Sequence, residues 1–369
     1  MKTALLHYWL VNERGGEKVL AALGALLPDA DIFTHAYLPE RFGEKSRARL
    51  WGHQVTESLV ARLPGGRRRP QMYLPVMPIA ERGLKLDGYG LIVSSESGPI
   101  KGVRKPAGAR HVCYCHTPMR YLWDMADDYY QAAGWKGKLA MKLFLDYLRK
   151  EDLKSAESVD EFVANSNFVA ERIRRIYGRE SKVVYPPVEV EYFAQAAKDR
   201  AAGDYYLCLG QLNPYKKPDW AVEACHRMGR RLVVAGDGEM LENLKRRGYP
   251  EVEFLGRVDG QTIFDLYAHA RALIFPGCED FGIVPVEAQA AGTPVIALKK
   301  GGALETVVEG ETGLFFDGGE PGDEAQIAAL CQAIEEFEGR KWSAETCTAN
   351  ARRFGRQRFM KAMSSILCT

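Results

Sequence analysis

Short apolar, β-branched runs alternate regularly with longer amphipathic stretches along this chain, which restricts the folds that it can form. Continuous apolar runs are typical of strands in parallel sheets that helices cover on both faces. The predicted strands are Thr3–Leu10, Ile32–His35, Leu91–Ser94, His111–Cys115, Glu161–Ala164, Val183–Tyr185, Tyr205–Leu209, Arg231–Ala235, Val252–Leu255, Ala272–Phe275, Pro294–Ala297 and Gly313–Phe316. The predicted helices include Gly16–Leu26, Leu139–Ser155, Asn167–Ile176, Pro218–Arg227 and Glu239–Arg246.

The alternation forms two series, which predicts an α/β protein with two doubly wound domains. Consecutive prolines at Pro186 and Pro187 favour an extended linker between the series. We therefore expect a first domain over 1–185 and a second over 186–350. Residues 351–369 are rich in arginine and have the periodicity of a C-terminal helix.

Charge is unevenly distributed between the two halves of the chain. Residues 1–185 carry 29 Lys and Arg against 21 Asp and Glu, a net charge of +8, and the remainder carries −6. This asymmetry indicates two domains with different partners. The basic half could face a phosphate-bearing acceptor or an anionic membrane surface, or it could be a solvated surface without a target.

The N-terminal apolar run is short and is followed by Asn12, Glu13 and Arg14 rather than by small residues of a cleavage site. We interpret it as a buried strand and not as a signal peptide, and we expect a cytoplasmic protein. The sequence contains no run of about 18 apolar residues, so it predicts no transmembrane helix.

The segment 278–297, CEDFGIVPVEAQAAGTPVIA, places Glu279 and Glu287 eight positions apart around a glycine and a proline. Pro285 is suited to the first position of a helix, which predicts Glu279 in a loop and Glu287 in the first helical turn. The amides at such a helix start favour an anion, and a diphosphate fits there. Carboxylates on either side would then bind hydroxyl groups of a ribose and a hexose. The alternative is that both glutamates are solvated charges at a helix start.

This segment resembles the E-x7-E signature of the retaining glycosyltransferases of the family 4 group. Further resemblances cover most of the chain. They are HYWLVNERGGEKVLAAL, YCHTPMRYLWD, VANSNFVAERIRRIYG, VVYPPVE, LGQLNPYKKPDWAVEA, VVAGDGEM, VEFLGRV and KKGGALETVVEGETGLF. The resemblance implies a GT-B fold, in which two Rossmann-like domains have the active site in the cleft between them. It also implies that the helix 351–369 packs back on the first domain.

The resemblance implies a role for several residues. Glu287 would bind the ribose hydroxyls, Glu279 would contact the transferred sugar, and Lys216 would neutralise charge on the diphosphate leaving group. His116 would reach the donor sugar, although a lone histidine can equally be structural. The backbone amides that would hold the diphosphate and the sugar are those of Phe281, Gly282 and Ile283.

The sequence departs from the family pattern at Gln211, where many members carry an arginine. Glutamine donates a hydrogen bond but no charge, so Lys217 or another cation would have to compensate, unless Lys217 is an ordinary surface lysine. The other donor-site candidates are Gly15, Gly16, Gly236 and Val258, where the glycines could also be ordinary turns. The acceptor-site candidates are Arg120 and Trp123.

Asp29 and Asp31 spell the DxD metal motif of other glycosyltransferases. We discount it because it precedes an early strand of the first domain, and because members of this fold use helix-start amides and lysine instead. The expectation is therefore a nucleoside diphosphate sugar as donor, with no metal and no other cofactor.

The predicted function is that of a retaining hexosyltransferase with front-face attack by an acceptor hydroxyl. The segments HTPMRYLWD and GQLNPYKK resemble members that elongate bacterial surface polysaccharides, which favours mannose from GDP-mannose; UDP-sugars are the alternative. The expected acceptor is a lipid-linked saccharide or polysaccharide, with possible contact of the basic domain with the inner leaflet and no nucleic-acid partner. Rival hypotheses are a sugar-nucleotide epimerase, a non-catalytic nucleotide-sugar sensor and a phosphorylase-like enzyme.

Overall fold

A computed structural model of the chain describes residues 2–13, 15–43, 52–199, 203–319 and 322–368. The chain forms two compact units. The first unit comprises Met1–Pro187 together with Phe359–Thr369, and the second comprises Val188–Arg358.

Within the described residues, the first unit has one parallel sheet of seven strands in the order β3-β2-β1-β4-β5-β6-β7. The strands are β1 (Thr3–His7), β2 (Asp31–Thr34), β3 (Val55–Glu57), β4 (Leu91–Glu96), β5 (Arg110–Cys115), β6 (Glu161–Ala164) and β7 (Ser181–Val183). Leu5 of β1 pairs with Ile32 of β2 and with Val93 of β4. The strand order reverses between β1 and β4, and in sheets of this kind ligands bind at the carboxyl ends of the strands beside that point.

Helices cover both faces of this sheet. They are Gly15–Leu26, Met77–Arg82, Ala126–Ala132, Trp135–Glu157, Asn167–Tyr177 and the C-terminal Arg356–Leu367. Shorter 3-10 turns are Pro39–Arg41, Leu59–Arg62 and Pro70–Val76. Local chemistry sets the ends of Asn167–Tyr177: the Ser166 hydroxyl accepts a hydrogen bond from the Val169 amide (3.1 Å), and Gly178 ends the helix at φ 63°.

The second unit has a parallel sheet of six strands among its described residues, in the order β10-β9-β8-β11-β12-β13. The strands are β8 (Tyr206–Leu209), β9 (Leu232–Ala235), β10 (Val252–Gly256), β11 (Ala272–Phe275), β12 (Val295–Leu298) and β13 (Gly313–Phe316). The strand order reverses between β8 and β11. A second ligand-binding position is therefore expected at the carboxyl ends of these two strands.

The helices of the second unit are Val190–Phe193, Pro218–Met228, Leu241–Lys245, Gly260–His269, Ile283–Ala290, Ala303–Thr306, Asp323–Glu338 and Ala344–Ala351. Its 3-10 turns are Ala196–Asp199, Pro214–Lys216 and Arg352–Phe354. None of the helices in the described ranges of the chain is long and apolar enough to cross a membrane.

The predicted pair of parallel α/β sheets is confirmed. Strand β3 was not predicted, because it is three residues long, lies at the sheet edge and is half-buried, so it has no apolar run. Strand β1 ends at His7 rather than at Leu10, and β7 covers Ser181–Val183 rather than Val183–Tyr185. Boundaries move in this way because periodicity identifies a strand more reliably than its ends.

The C-terminal helix Arg356–Leu367 enters the first unit at Phe359. Four buried side chains of this helix join the apolar core that includes Leu5 and Val93: Phe359, Met363, Ile366 and Leu367. The ring of Phe359 lies edge-on to that of Tyr114, with the ring centres 5.7 Å apart. The last turns of the chain therefore complete the core of the unit formed by its first half.

We predict that Phe359→Ala lowers the free energy of unfolding of the first unit by about 3–5 kcal/mol, since it leaves a cavity in that core. Hydrogen exchange of the amides in β1, β4 and β5 would measure this loss separately from the second unit. Ser365→Ala on the exposed side of the same helix serves as the control. Unchanged protection of these strands in Phe359→Ala would contradict the assignment of the helix to this core.

Candidate functional site

The loops that follow β8 and β11 lie side by side in the second unit and line a pocket. Lys216 and Glu279 meet there, with Nζ 2.8 Å from Oε1 and with each side chain about four-fifths buried. Gln211 lines the same pocket. The structure thus brings together three predicted site residues, one cation, one anion and one amide, at the carboxyl ends of the two strands.

Close backbone packing holds these two loops together. A Cβ atom at Gly277 would lie 2.7 Å from the Cα atom of Lys216, closer than any real side chain permits. Glycine at 277 is therefore required for the loop after β11 to pass directly against Lys216.

The helix that follows the Glu279 loop begins at Ile283, two residues before the predicted start at Pro285. The reason is Gly282, whose φ of 86° turns the chain into the helix. Pro285 is tolerated at the third position because the first four amides of a helix have no acceptor within it. The amides of Phe281, Gly282 and Ile283 lie at this helix start, as the anion-site hypothesis requires.

Glu287 consequently lies in the second turn and not in the first turn as predicted. Its side chain is buried, and Oε2 accepts a hydrogen bond from the Tyr267 hydroxyl at 3.2 Å. Burial, together with the Glu287 carboxylate, raises the pKa of Tyr267 well above its ordinary value, so the tyrosine remains a donor. The alternative in which Glu287 is a solvated surface charge does not fit this burial.

Sequence reasoning did not single out Gly301 and Gly302, which pack against the Glu279 loop. The Gly302 amide donates to the Glu279 carbonyl at 2.9 Å, and a Cβ at Gly302 would lie 2.3 Å from the Cα of Phe281. Gly301 adopts φ 67°, and a Cβ there would lie 2.4 Å from the Glu279 carbonyl oxygen. The available signal in the sequence is the pair of adjacent glycines that follows the predicted strand Pro294–Ala297.

Gln289 was also missed, and it fixes the far side of the same helix. Its side-chain amide donates to the carbonyls of Pro285 (3.1 Å) and Thr306 (2.8 Å), and it accepts from Asn350 at 2.6 Å. All three of these hydrogen bonds are buried. Such a fully bonded polar network holds the helix in one orientation.

Gly236, one of the donor-site candidates, lies in a turn that packs beside the loop after β8. A Cβ at Gly236 would lie 1.8 Å from the carbonyl oxygen of Gly210, and the Leu212 amide donates to the Asp237 carbonyl at 3.0 Å. Val258, half-buried, follows β10 at the next strand of the sheet. These residues extend the same edge of the sheet away from Lys216.

Lys217 does not line the pocket. Its ammonium group pairs with Asp323 at 3.0 Å and lies over the ring of Trp220. Lys217 has the left-handed φ of 51°, which accompanies the turn from Pro214–Lys216 into helix Pro218–Met228. In this arrangement the charge of Lys217 pairs with a residue of helix Asp323–Glu338, and the compensation of Gln211 by Lys217 stays a hypothesis.

In the first unit, the predicted residues Gly16 and His116 meet at the carboxyl ends of β1, β4 and β5. The Ser95 hydroxyl lies 2.8 Å from His116 Nε2 and 3.3 Å from His7 Nδ1. A Cβ at Gly16 would lie 3.5 Å from His116 Nε2, so the start of helix Gly15–Leu26 adjoins the histidine directly. His7 and Ser95, which sequence reasoning missed, hold the His116 ring in place.

Burial, with a smaller contribution from His7, lowers the pKa of His116 to about 3. The ring is therefore neutral near pH 7. A neutral imidazole keeps one donor and one acceptor nitrogen, and the bond to Ser95 occupies one of them.

The two acceptor-site candidates belong to the segment that follows His116. The indole of Trp123 donates to Asp152 Oδ2 at 2.7 Å, which ties it to a buried charge cluster. In that cluster Lys101 Nζ lies 2.7 Å from Glu96 Oε1 and 2.5 Å from Asp152 Oδ1. The carbonyl of Arg120 accepts from the Met125 amide at 2.9 Å within the same turn.

Asp31 of the DxD spelling forms an ion pair with Lys2 at 3.1 Å and accepts a hydrogen bond from Tyr89. Over the part of the chain that the structure describes, no group of three or more His, Cys, Asp or Glu side chains is arranged to hold a metal ion.

Two family descriptions match adjacent parts of the chain. "Glycosyltransferase Family 4" matches residues 14–192, and "Glycosyl transferases group 1" matches residues 193–354. D-inositol 3-phosphate glycosyltransferase 2 of Catenulispora acidiphila is 32% identical over 235 residues, which are 54% of this chain and 53% of that protein. The chain spans about half the length of the curated relatives it matches.

Two solved structures are similar over their whole length. HepE of Anabaena, solved in complex with UDP and glucose, has a TM-score of 0.69 at 18% identity, covering 100% of both chains. Sucrose-phosphate synthase of Thermosynechococcus elongatus has a TM-score of 0.68 at 17% identity, covering 99% of this chain and 98% of that one. These likenesses show that the fold is GT-B.

We predict that the His116 ring keeps the same charge from pH 8 to pH 5, because its folded pKa lies near 3. NMR of the ring carbons would measure this, and His116→Asn would identify the signal. The unfolded chain takes up this proton at about pH 6.5. The contribution of His116 to the free energy of unfolding is therefore fully present above pH 6.5. Below that pH the free energy of unfolding falls by roughly 1.4 kcal/mol per pH unit, because only the unfolded chain takes up the proton. A titration midpoint near pH 6 in the folded protein would contradict the described burial.

We further predict that Gly302→Ala lowers the free energy of unfolding of the second unit by about 1–3 kcal/mol, because the new methyl group overlaps Phe281. The residue 302 amide should also lose hydrogen-exchange protection as its bond to Glu279 is broken. Gly260→Ala is the matched control, since a Cβ there meets open space. Equal behaviour of the two variants would refute the tight packing of residues 301 and 302 on the loop.

Proposed function

Because the chain belongs to glycosyltransferase family 4, the glycosyl transferases group 1, we propose that it is a retaining glycosyltransferase. It moves a hexose from a nucleoside diphosphate sugar to a hydroxyl group of an acceptor. The observation that carries the proposal is the Lys216–Glu279 pair, 2.8 Å apart, just before the start of helix Ile283–Ala290.

That arrangement suits a diphosphate leaving group. Negative charge builds on the diphosphate as the bond to the sugar breaks, and a fixed cation with helix-start amides stabilises it most where water is excluded. Lys216 supplies the cation, and Phe281, Gly282 and Ile283 supply the amides. With a phosphate beside Lys216, Glu279 can turn one oxygen toward a sugar hydroxyl. A carboxylate oxygen readily accepts a hydrogen bond from such a hydroxyl.

Glu287 is proposed to bind the ribose hydroxyls of the same donor. The Tyr267 hydroxyl bonds to one oxygen of this carboxylate. An ionised carboxylate has about four acceptor sites, so it retains capacity for hydroxyl donors. Gln289 and Asn350 hold the helix that carries Glu287, which supports a fixed position for the carboxylate.

The proposed chemistry is front-face substitution. The bond between the anomeric carbon and the diphosphate oxygen breaks, the acceptor oxygen forms its bond to the same face of that carbon, and its proton passes to a phosphate oxygen. Lys216 balances the charge that the diphosphate gains. His116, held neutral and oriented by Ser95, is the first unit's candidate for contact with the transferred sugar.

For the donor, a UDP-sugar has better support than the GDP-mannose favoured by the sequence. HepE was solved with UDP and glucose, and several curated relatives are named as D-inositol 3-phosphate glycosyltransferases rather than as mannosyltransferases. The names of those relatives also favour a phosphate-bearing acceptor. The +8 charge of residues 1–185 suits such an acceptor, whether a lipid-linked saccharide or a phosphorylated polyol.

We predict that UDP raises the melting temperature more than GDP, ADP or TDP at the same concentration, because a ligand of the native state stabilises it according to its affinity. Lys216→Met should abolish most of this shift and lower turnover about 10²–10³-fold, as loss of a preorganised charge does. Lys217→Met is the matched control, because the neighbouring lysine pairs with Asp323.

A selective shift with GDP would restore the GDP-mannose hypothesis and leave the site intact. Equal losses in the Lys216 and Lys217 variants would contradict the assignment of the leaving-group cation. No shift with any of the four nucleotides would refute the proposed function.

A further inference from the structure

The first half of helix Trp135–Glu157 presents large apolar side chains to solvent. Trp135, Leu139 and Leu143 are 73%, 51% and 64% exposed. Their spacing of four residues places them on one side of the helix, and we call them the exposed helix face. The buried residues of this helix, Leu148, Asp152, Ser155 and Ala156, all lie in its second half.

This pattern reverses the usual one, in which a surface helix turns its apolar side toward the core. The preceding helix Ala126–Ala132 adds two exposed aromatic residues, Tyr129 and Tyr130, at 43% and 37% exposure. Large apolar side chains that are clustered and exposed often mark an interaction surface, whereas single exposed ones are common on any domain. The exposed helix face is therefore a candidate interaction surface.

Charge identifies the kind of partner. Lys136, Lys138 and Lys142 lie between the apolar residues, and the segment 133–145 contains no Asp or Glu. Among the residues the structure describes, none of these three lysines pairs with a carboxylate, while Lys136 lies over Trp135 and Lys138 over Tyr130. The segment 133–145 is thus apolar, aromatic and cationic together, and the exposed carboxylate of Asp127 lies outside it, before the two tyrosines.

We propose that the exposed helix face docks on a lipid bilayer with anionic headgroups. Tryptophan and tyrosine are favoured at the boundary between headgroups and hydrocarbon, and lysine stems extend along apolar surface while the ammonium reaches the headgroups. A helix with these residues lies in the plane of the interface. Only the biological role of this docking rests on the proposed function, since docking would bring the protein to a lipid-linked acceptor.

A second copy of the chain is a poorer occupant. In a two-fold interface the same patch meets itself, so Lys136, Lys138 and Lys142 of one copy would face those of the other. Like charges brought together at low dielectric oppose such an interface. An anionic membrane instead gains from each lysine, by about five-fold in affinity near the surface.

The 3-10 turn beside this helix also combines an exposed apolar side chain with basic residues. The 3-10 turn Pro70–Val76 packs on the helix through Leu74, which shares an apolar cluster with Leu145 and Leu148. Met72 on this turn is 67% exposed, and Arg68 and Arg69 directly before it are exposed. Insertion of an apolar side chain next to arginines fits the same lipid surface.

The test is co-sedimentation of the full chain with vesicles of phosphatidylcholine, with and without about 30% phosphatidylglycerol. We expect binding to the anionic vesicles, little to the neutral ones, and weakening at high salt. Trp135→Glu with Leu143→Glu should weaken binding about tenfold or more, because two charges replace exposed apolar groups that would insert into the bilayer. Lys136→Glu with Lys142→Glu, a second variant on exposed positions, should abolish the preference for anionic vesicles.

Leu304→Glu is the matched control, since Leu304 is 51% exposed but belongs to the second unit. It should bind vesicles like the unchanged protein. Equal binding by all variants, or no binding to anionic vesicles, overturns the proposal. A dimer in solution that Trp135→Glu dissociates overturns it as well, because a second copy would then cover the face.

The nucleotide thermal shift separates this proposal from the proposed function. Vesicle binding that depends on the exposed helix face without any nucleotide shift would support the docking surface and refute the transferase site. A retained UDP shift in a protein that ignores vesicles would do the reverse. Circular dichroism of each variant confirms that the helix is folded.

Discussion

Backbone-to-backbone packing at the carboxyl edge of the second sheet is the constraint on which the site depends. Four turns meet there: the one after β8, the Gly236 turn, the Glu279 loop and the turn at Gly301 and Gly302. Each approach is closer than a Cβ atom permits, so glycine is required at every contact. Because the turns cannot move apart without losing these contacts, Lys216 and Glu279 are held at 2.8 Å.

Polar contacts in the interior complement this packing. Gln289 and Asn350 hold one side of helix Ile283–Ala290 in place. On the other side, the Tyr267 hydroxyl holds the Glu287 carboxylate. Each bond lies away from water, where leaving one partner unsatisfied is costly. The predicted diphosphate site is thus preorganised by groups that do not touch a phosphate, which is the arrangement that electrostatic catalysis requires.

The first unit relies on a different device. Lys101 is fully buried between Glu96 and Asp152, and although burial lowers its pKa, the two carboxylates hold that pKa well above the ordinary value. Removal of one partner from such a group typically costs about 3–5 kcal/mol. Trp123 and Tyr177 also bond to Asp152, so the cluster fixes the segment after His116. The expected acceptor side of the protein is therefore anchored by charge in its interior.

Local patterns in the sequence were sufficient to predict the two parallel α/β sheets, the order of most of their strands, and the two separate motifs that contain Glu279 with Glu287 and Lys216. These features follow from local periodicity and from turn chemistry, which act over a few residues. The helix start at Ile283 was missed by two residues, since the left-handed turn at Gly282 and not the proline determines it.

The identity of the side chains that meet depends on tertiary packing. Two adjacent lysines have different partners: Lys216 pairs with Glu279, whereas Lys217 pairs with Asp323, 106 positions away in the chain. The contact of Gly302 with Phe281 and the solvent exposure of Trp135 were equally hidden. The physical reason is that such contacts depend on how distant segments pack, and no local pattern in the sequence encodes that distance.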